Sequence, residues 1–169
     1  GRYGGKAGGW FYLNDVGGFD KHLLPLVYLA HDQDMSVALN QFPESFPIQI
    51  VRGTHPNDHE GLVGVLETKK DIKSKWDLQI AIELIREEAN SKNVFSYNSY
   101  EGKEYDGKVG VMIQPQNPSL KRGSLVEHPH ERGTYLIDFV DESYDIPRID
   151  RGVVNKDTID VCRMMSPPT

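Results

Sequence analysis

An α+β fold, with a mainly antiparallel sheet and flanking helices, is what this sequence predicts, on three observations. Short apolar or alternating runs outnumber helical patterns in the second half of the chain. One segment, Lys73 to Ala89, carries a helical stripe in which Leu78, Ile82, Ile85 and Ala89 recur on one face. The length, 169 residues, suits one domain or two small lobes around a cleft.

The elements follow in order. Residues 1–9 hold five glycines with Arg2 and Lys6, and read as a Gly-rich loop. Trp10 to Leu13 reads as a short helix, stopped by Gly17 and Gly18. Residues 22–38 look helical but are interrupted by Pro25, and Pro43 and Pro47 mark a loop. Ile48 to Val51 alternates as a strand and ends at Arg52. A polar turn through Pro56, Asn57 and Asp58 leads to a second strand, Leu62 to Leu66. The helix with the apolar stripe keeps Glu87 and Glu88 on its wet side, and a polar stretch rich in Asn, Ser, Tyr and Gly follows it. Val109 to Ile113, Ser124 to Val126 and Tyr135 to Val140 read as strands, with Val153-Val154 and Ile159 to Val161 as weaker candidates.

Composition narrows the function classes. Hydrophobic residues at 38% and charged residues at 26% suit a water-soluble globule. The lone Cys162 cannot form an internal disulfide, and no apolar run approaches the roughly 18–20 residues needed to span a membrane. The expected compartment is the cytoplasm, with no membrane partner. A formal net charge of −6 weighs against a general nucleic-acid binder, although two or three placed cations suffice for one nucleotide.

Three constellations could carry chemistry. Gly4-Gly5-Lys6-Ala7 offers backbone N–H groups and a point charge to a phosphate, but it lacks Walker spacing and taken alone reads more simply as a flexible terminal arm. Arg52, where a strand emerges into a polar loop, suits bidentate phosphate binding or a pairing with Asp58 or Glu60. Val111 to Gln114 could offer backbone groups to a purine edge, or be a plain core strand.

Taken together and in order, these segments resemble the N-terminal ATP-binding domain of the phosphoenolpyruvate synthase and pyruvate phosphate dikinase family, a variant of the ATP-grasp fold. Gly4 to Leu13 is similar to the family's GGK-A/G-x-x-L start, and Val51-Arg52-Gly53-Thr54 to its V-R-S-S or V-R-S-G strand end. Leu62 to Thr68 is similar to F-A-G-Q-x-E-T. Ala81-Ile82 with Val94 to Tyr97 resembles A-I-x-x-x-W-x-S and the tyrosine beyond it. Gly110 to Gln114 resembles A-V-x-V-Q, and Gly123 to Gly133 the G-V-x-F-T-x-x-P-x-x-G hairpin. The resemblance covers most of residues 4–140.

It implies one ATP-binding domain over residues 1–169, with lobes near 1–108 and 109–169 around a nucleotide cleft, as part of a longer protein. Lys6 and Arg52 would contact the triphosphate, Arg52 toward the transferred phosphoryl group. Thr54 and Thr68 would line the same cleft, and Gln114 would face the adenine. Asp138 and Glu142 would be candidate magnesium ligands; Asp138 reads equally as a surface carboxylate. The implied cofactors are ATP and Mg2+. The implied acceptor is a histidine or other group outside this chain, in a phosphohistidine-type domain.

Three departures stand against the family pattern. The stretch from Gly18 to Pro47 is compressed, Gly53-Thr54 replaces a serine pair, and Ser143 to Pro147 stands where a glycine-rich G-L-G-E stretch belongs. They leave open a regulatory or interaction module that keeps the fold without catalysis. A ligase K-x-D-G motif is only approached, with wrong spacing, by Lys103 to Gly107. His55 with His59, and His128 with His130, could ligate a metal, but Pro56 and Asn57-Asp58 argue for a loop and no cysteine joins them, so they read as solvated loop histidines.

Overall fold

The computed structural model describes residues 3–42, 47–56, 66–116, 121–141 and 148–155. The chain divides into two compact units, Gly1–Gln116 and Asn117–Thr169. Among the described residues both are built as predicted for an α+β chain, from antiparallel strands, and the helices belong to the first. Among the described residues no helix is long and apolar enough to cross a membrane.

The first unit runs α1 (Gly4–Val16), β1 (Val27–Leu29), α2 (Ser36–Leu39), β2 (Gln49–Thr54), β3 (Lys69–Ile72), α3 (Lys75–Ala89), α4 (Lys92–Tyr100) and β4 (Gly110–Pro115). Its sheet has the order β1-β4-β2-β3, all neighbours antiparallel. β4 is therefore an interior strand of this unit, and the division falls after Gln116 rather than near residue 108. Strand alternation sends Leu29, Val51, Val111 and Ile113 to one face. There they meet the predicted stripe of α3: Leu78, Ile82, Ile85 and Ala89 are all buried in the same cluster.

α3 starts where the side chain of Ser74 accepts a hydrogen bond from the Asp77 N–H at 3.1 Å, and Asp77 in turn accepts from the Lys73 N–H at 3.3 Å. Glu88 is not simply on the wet side, since it pairs with the largely buried Lys69 ammonium. Asp71, in β3, takes a left-handed φ of 57°. Gln116 holds it there, accepting from the Asp71 N–H at 2.7 Å and donating to its carboxylate at 2.9 Å.

Three elements differ from expectation. The Gly-rich segment is helix from Gly4 onward, not loop. Val27–Leu29 is a strand within the stretch that looks helical, because β4 offers an edge to a β-favouring Val-Tyr-Leu triplet; only Ser36–Leu39 is helical there. The polar stretch after α3 is the helix α4, capped by Ser91 and anchored by the buried Asn98, which donates to the Val94 carbonyl. The strand expected at 62–66 lies, apart from Leu66, outside the described residues, as does that at 159–161.

The second unit is a three-stranded antiparallel sheet, β5 (Lys121–Glu127), β6 (Thr134–Asp141) and β7 (Arg148–Asn155), in the order β5-β6-β7. The expected strands at 124–126, 135–140 and 153–154 fall inside these three.

Candidate functional site

The N-terminus of α1 is seated on the end of β2. The Thr54 hydroxyl donates to the Tyr3 carbonyl at 3.0 Å and accepts from the Ala7 N–H at 3.4 Å. It thus spans the two groups that the first helical i→i−4 bond would join. Tyr3, at the N-cap, supplies no side-chain cap of its own, so the strand does this from outside. The Gly5 N–H adds a bond to the His55 carbonyl at 3.4 Å. Only glycine fits at position 4: its φ is 82°, and a Cβ would stand 2.5 Å from the Thr54 hydroxyl oxygen and 2.6 Å from the His55 carbonyl oxygen.

This docking brings several of the sequence-predicted residues to one sheet face. The Lys6 ammonium donates to the Gly53 carbonyl at 3.4 Å, beside Arg52. Arg52 is exposed, and its register partner on β4 is Met112. Arg52 and Thr54 alternate with Val51 and Gly53, which face α3, so they point to the opposite side. Gln114, half-buried and two residues from Met112 on β4, shares that side. The carboxylates weighed as Arg52 partners, Asp58 and Glu60, lie outside the described residues.

Thr68 sits elsewhere. It lines a cavity of about 660 Å3 between β3 and α3, with Lys69, Ile72 and Ile80. Asp138 belongs to the second unit, half-buried on β6, with Ser124 and Arg151 as its register partners. Glu142 lies outside the described residues. Among the described residues no three His, Cys, Asp or Glu side chains converge as a metal site. The His128 ring accepts N–H bonds from His130 and Glu131 at 3.2 and 3.1 Å through Nδ1, which closes its own turn.

Two further groups lie outside these constellations, and neither is visible in a linear motif. His55 is buried, with Nε2 3.2 Å from the Asp106 carboxylate and its ring 5.0 Å from Tyr105. Burial opposes ionisation of Asp106, but the Lys108 N–H, the His55 ring and the Lys108 ammonium together hold its carboxyl below the usual value. Tyr105 donates to the Ala89 carbonyl at 2.7 Å; burial, aided by the Asp106 charge, pushes its phenol up to about 12. The second group is aromatic. Tyr3 packs on Phe11 at 4.3 Å and edge-on to Tyr28 at 5.2 Å. The one sequence signal for it is Gly110: a Cβ there would lie 2.5 Å from the Tyr28 hydroxyl, so the glycine makes room for the ring.

The arrangement offers an anion two cations, Lys6 and Arg52, beside a helix start whose first amides are tied to strand β2. No family model matches this chain, and a search of the curated proteins returns no match.

Proposed function

We propose that the first unit binds the triphosphate of ATP across Lys6 and Arg52, as part of an ATP-grasp-like phosphotransferase whose acceptor lies outside this chain. One observation carries this reading: the glycine-rich start of α1 is closed against the end of β2, so that the Lys6 ammonium bonds the carbonyl of Gly53, the residue next to Arg52. In phosphoryl transfer the protein mainly positions groups and neutralises charge. A strand-mounted guanidinium would serve the transferred phosphoryl group, and a lysine on a helix the remaining oxygens. Gln114, on the same face, would meet the edge of the base.

Magnesium would enter as the ion carried by the triphosphate, a role in which it keeps most of its oxygen ligands from phosphate and water. Among the described residues no three His, Cys, Asp or Glu side chains converge as a magnesium site, and Asp138, one of the two carboxylates the resemblance implies, belongs to the second unit.

Calorimetric titration of Mg-ATP into the chain tests the reading. We expect micromolar to submillimolar binding, weakened roughly tenfold to a hundredfold by Lys6→Ala and by Arg52→Ala, the scale of a lost charge-assisted hydrogen bond. Arg52 is exposed, so Arg52→Ala keeps the parent's thermal transition. Absence of heat, and of stabilisation at millimolar ATP, would leave the non-catalytic module as the better reading, which the missing glycine-rich stretch already favours.

A further inference from the structure

On the same sheet face as Arg52, a cavity of about 590 Å3 is walled by Tyr3, Phe11 and Tyr28. Its volume lies within the roughly 300–1,000 Å3 usual for small-molecule sites. Tyr28 is the register partner of Met112, which is itself the partner of Arg52, so the cavity wall stands about 10 Å from Arg52 across two strand spacings.

The rim is polar, and its hydrogen-bonding capacity is specific. Gln33 accepts from the Ala30 N–H at 2.8 Å through its carbonyl, which leaves the amide N–H2 to donate. Gln41 donates one amide N–H to the Val37 carbonyl at 2.9 Å, which leaves its second N–H to donate and its carbonyl to accept. Asp32, 73% exposed, adds a carboxylate acceptor. Aromatic walls suit a flat π-system, and a rim of two amides that can each still donate and accept, beside the His31–Asp32 pair, suits a ring bearing both N–H groups and acceptor nitrogens.

We infer that this cavity binds a planar nitrogen heterocycle of nucleobase size. The ring has two possible sources: the base of the nucleotide proposed at Lys6 and Arg52, or a separate small molecule. The first source rests on the preceding reading; the second does not. If the first holds, the Tyr28 cavity contains the base, and Gln114 meets at most its edge.

The test uses the full chain and etheno-adenine, a fluorescent base that is quenched on stacking. Saturable quenching is expected, weakened at least about fivefold by Tyr28→Leu and by Phe11→Leu, but not by Tyr28→Phe. Because core leucines could loosen α1, the exposed rim pair Asp32→Asn and Gln41→Ala is measured alongside; it weakens binding with no change in melting temperature. Displacement by ATP but not by tripolyphosphate assigns the ring to the bound nucleotide. Persistence under saturating ATP assigns it to a separate molecule, and either result supports the cavity site. No quenching up to millimolar probe, or quenching indifferent to both ring and rim variants, overturns it. The nucleotide reading stands or falls separately, on whether Lys6→Ala and Arg52→Ala weaken tripolyphosphate binding.

Discussion

Gly4 and Gly8 sit in the same helix, yet their surroundings predict opposite responses to a methyl group. At Gly4 a Cβ would meet Thr54 and His55 at 2.5 and 2.6 Å with φ at 82°; at Gly8 nothing lies within 4 Å. Gly4→Ala should therefore cost about 2 kcal/mol or more, by strain and by unseating α1 from β2. Gly8→Ala should be neutral or stabilising by up to about 1 kcal/mol, through helix propensity. Urea melts of the two variants compare them directly, and equal effects would show that α1 is not held as described. Asp106 gives a second prediction, with a sign set by its surroundings. Its folded pKa lies below the ordinary 3.8, so its contribution is present above the unfolded value and is lost as pH falls through the folded one. With its side chain 55% exposed, that contribution stays below about 1 kcal/mol. Asp106→Asn should thus melt lower than the parent at pH 7, with the gap closing below about pH 4. A gap of constant size down to pH 3 (about one unit under the ordinary carboxyl range) would remove the His55 and Lys108 pairings as its cause.

At the scale of elements, α3 concentrates the stabilising contacts of the first unit. Ser74→Ala should cost about 1 kcal/mol as a lost N-cap. Ile82→Ala, at a fully buried position beneath the sheet, should cost about 2–5 kcal/mol; chemical denaturation of both would order them. α3 was readable from sequence because its cap, its stripe and its charges are all local. β2, β4, β5 and β6 were readable because their apolar runs are short and bounded. α1 was not, since four glycines among residues 4–9 argue against helix unless a hydroxyl 47 residues away closes the first turn. β1 was not, because its strand character comes from pairing with β4, and α4 was not, because its buried anchor is the polar Asn98. The site divides in the same way. Lys6 and Arg52 announce themselves by residue type at chain punctuation, whereas Tyr3 with Phe11 and Tyr28, or His55 with Asp106, exist only through register between distant segments.

For the whole molecule, the contrast lies between a second unit made of sequential neighbours and a first unit in which only β2 and β3 pair in chain order. β5, β6 and β7 pair in chain order, whereas β1 and β2 both wait for β4, with Val27 and Val51 each opposite Ile113. Closing such loops costs entropy before any contact rewards it. The clasp of Thr54 on the first turn of α1 therefore has a consequence in time. During synthesis the glycine-rich segment leaves the ribosome well before Thr54, and the interior strand that fixes Thr54 leaves later still. The segment that emerges first then takes shape only after β4, and Lys6 has no fixed position until residues as far along as β4 have been made. Pulse-labelled hydrogen exchange during refolding should find the Ala7 amide protected no earlier than the amides of β4. Earlier protection at Ala7 would mean that α1 closes without its clasp.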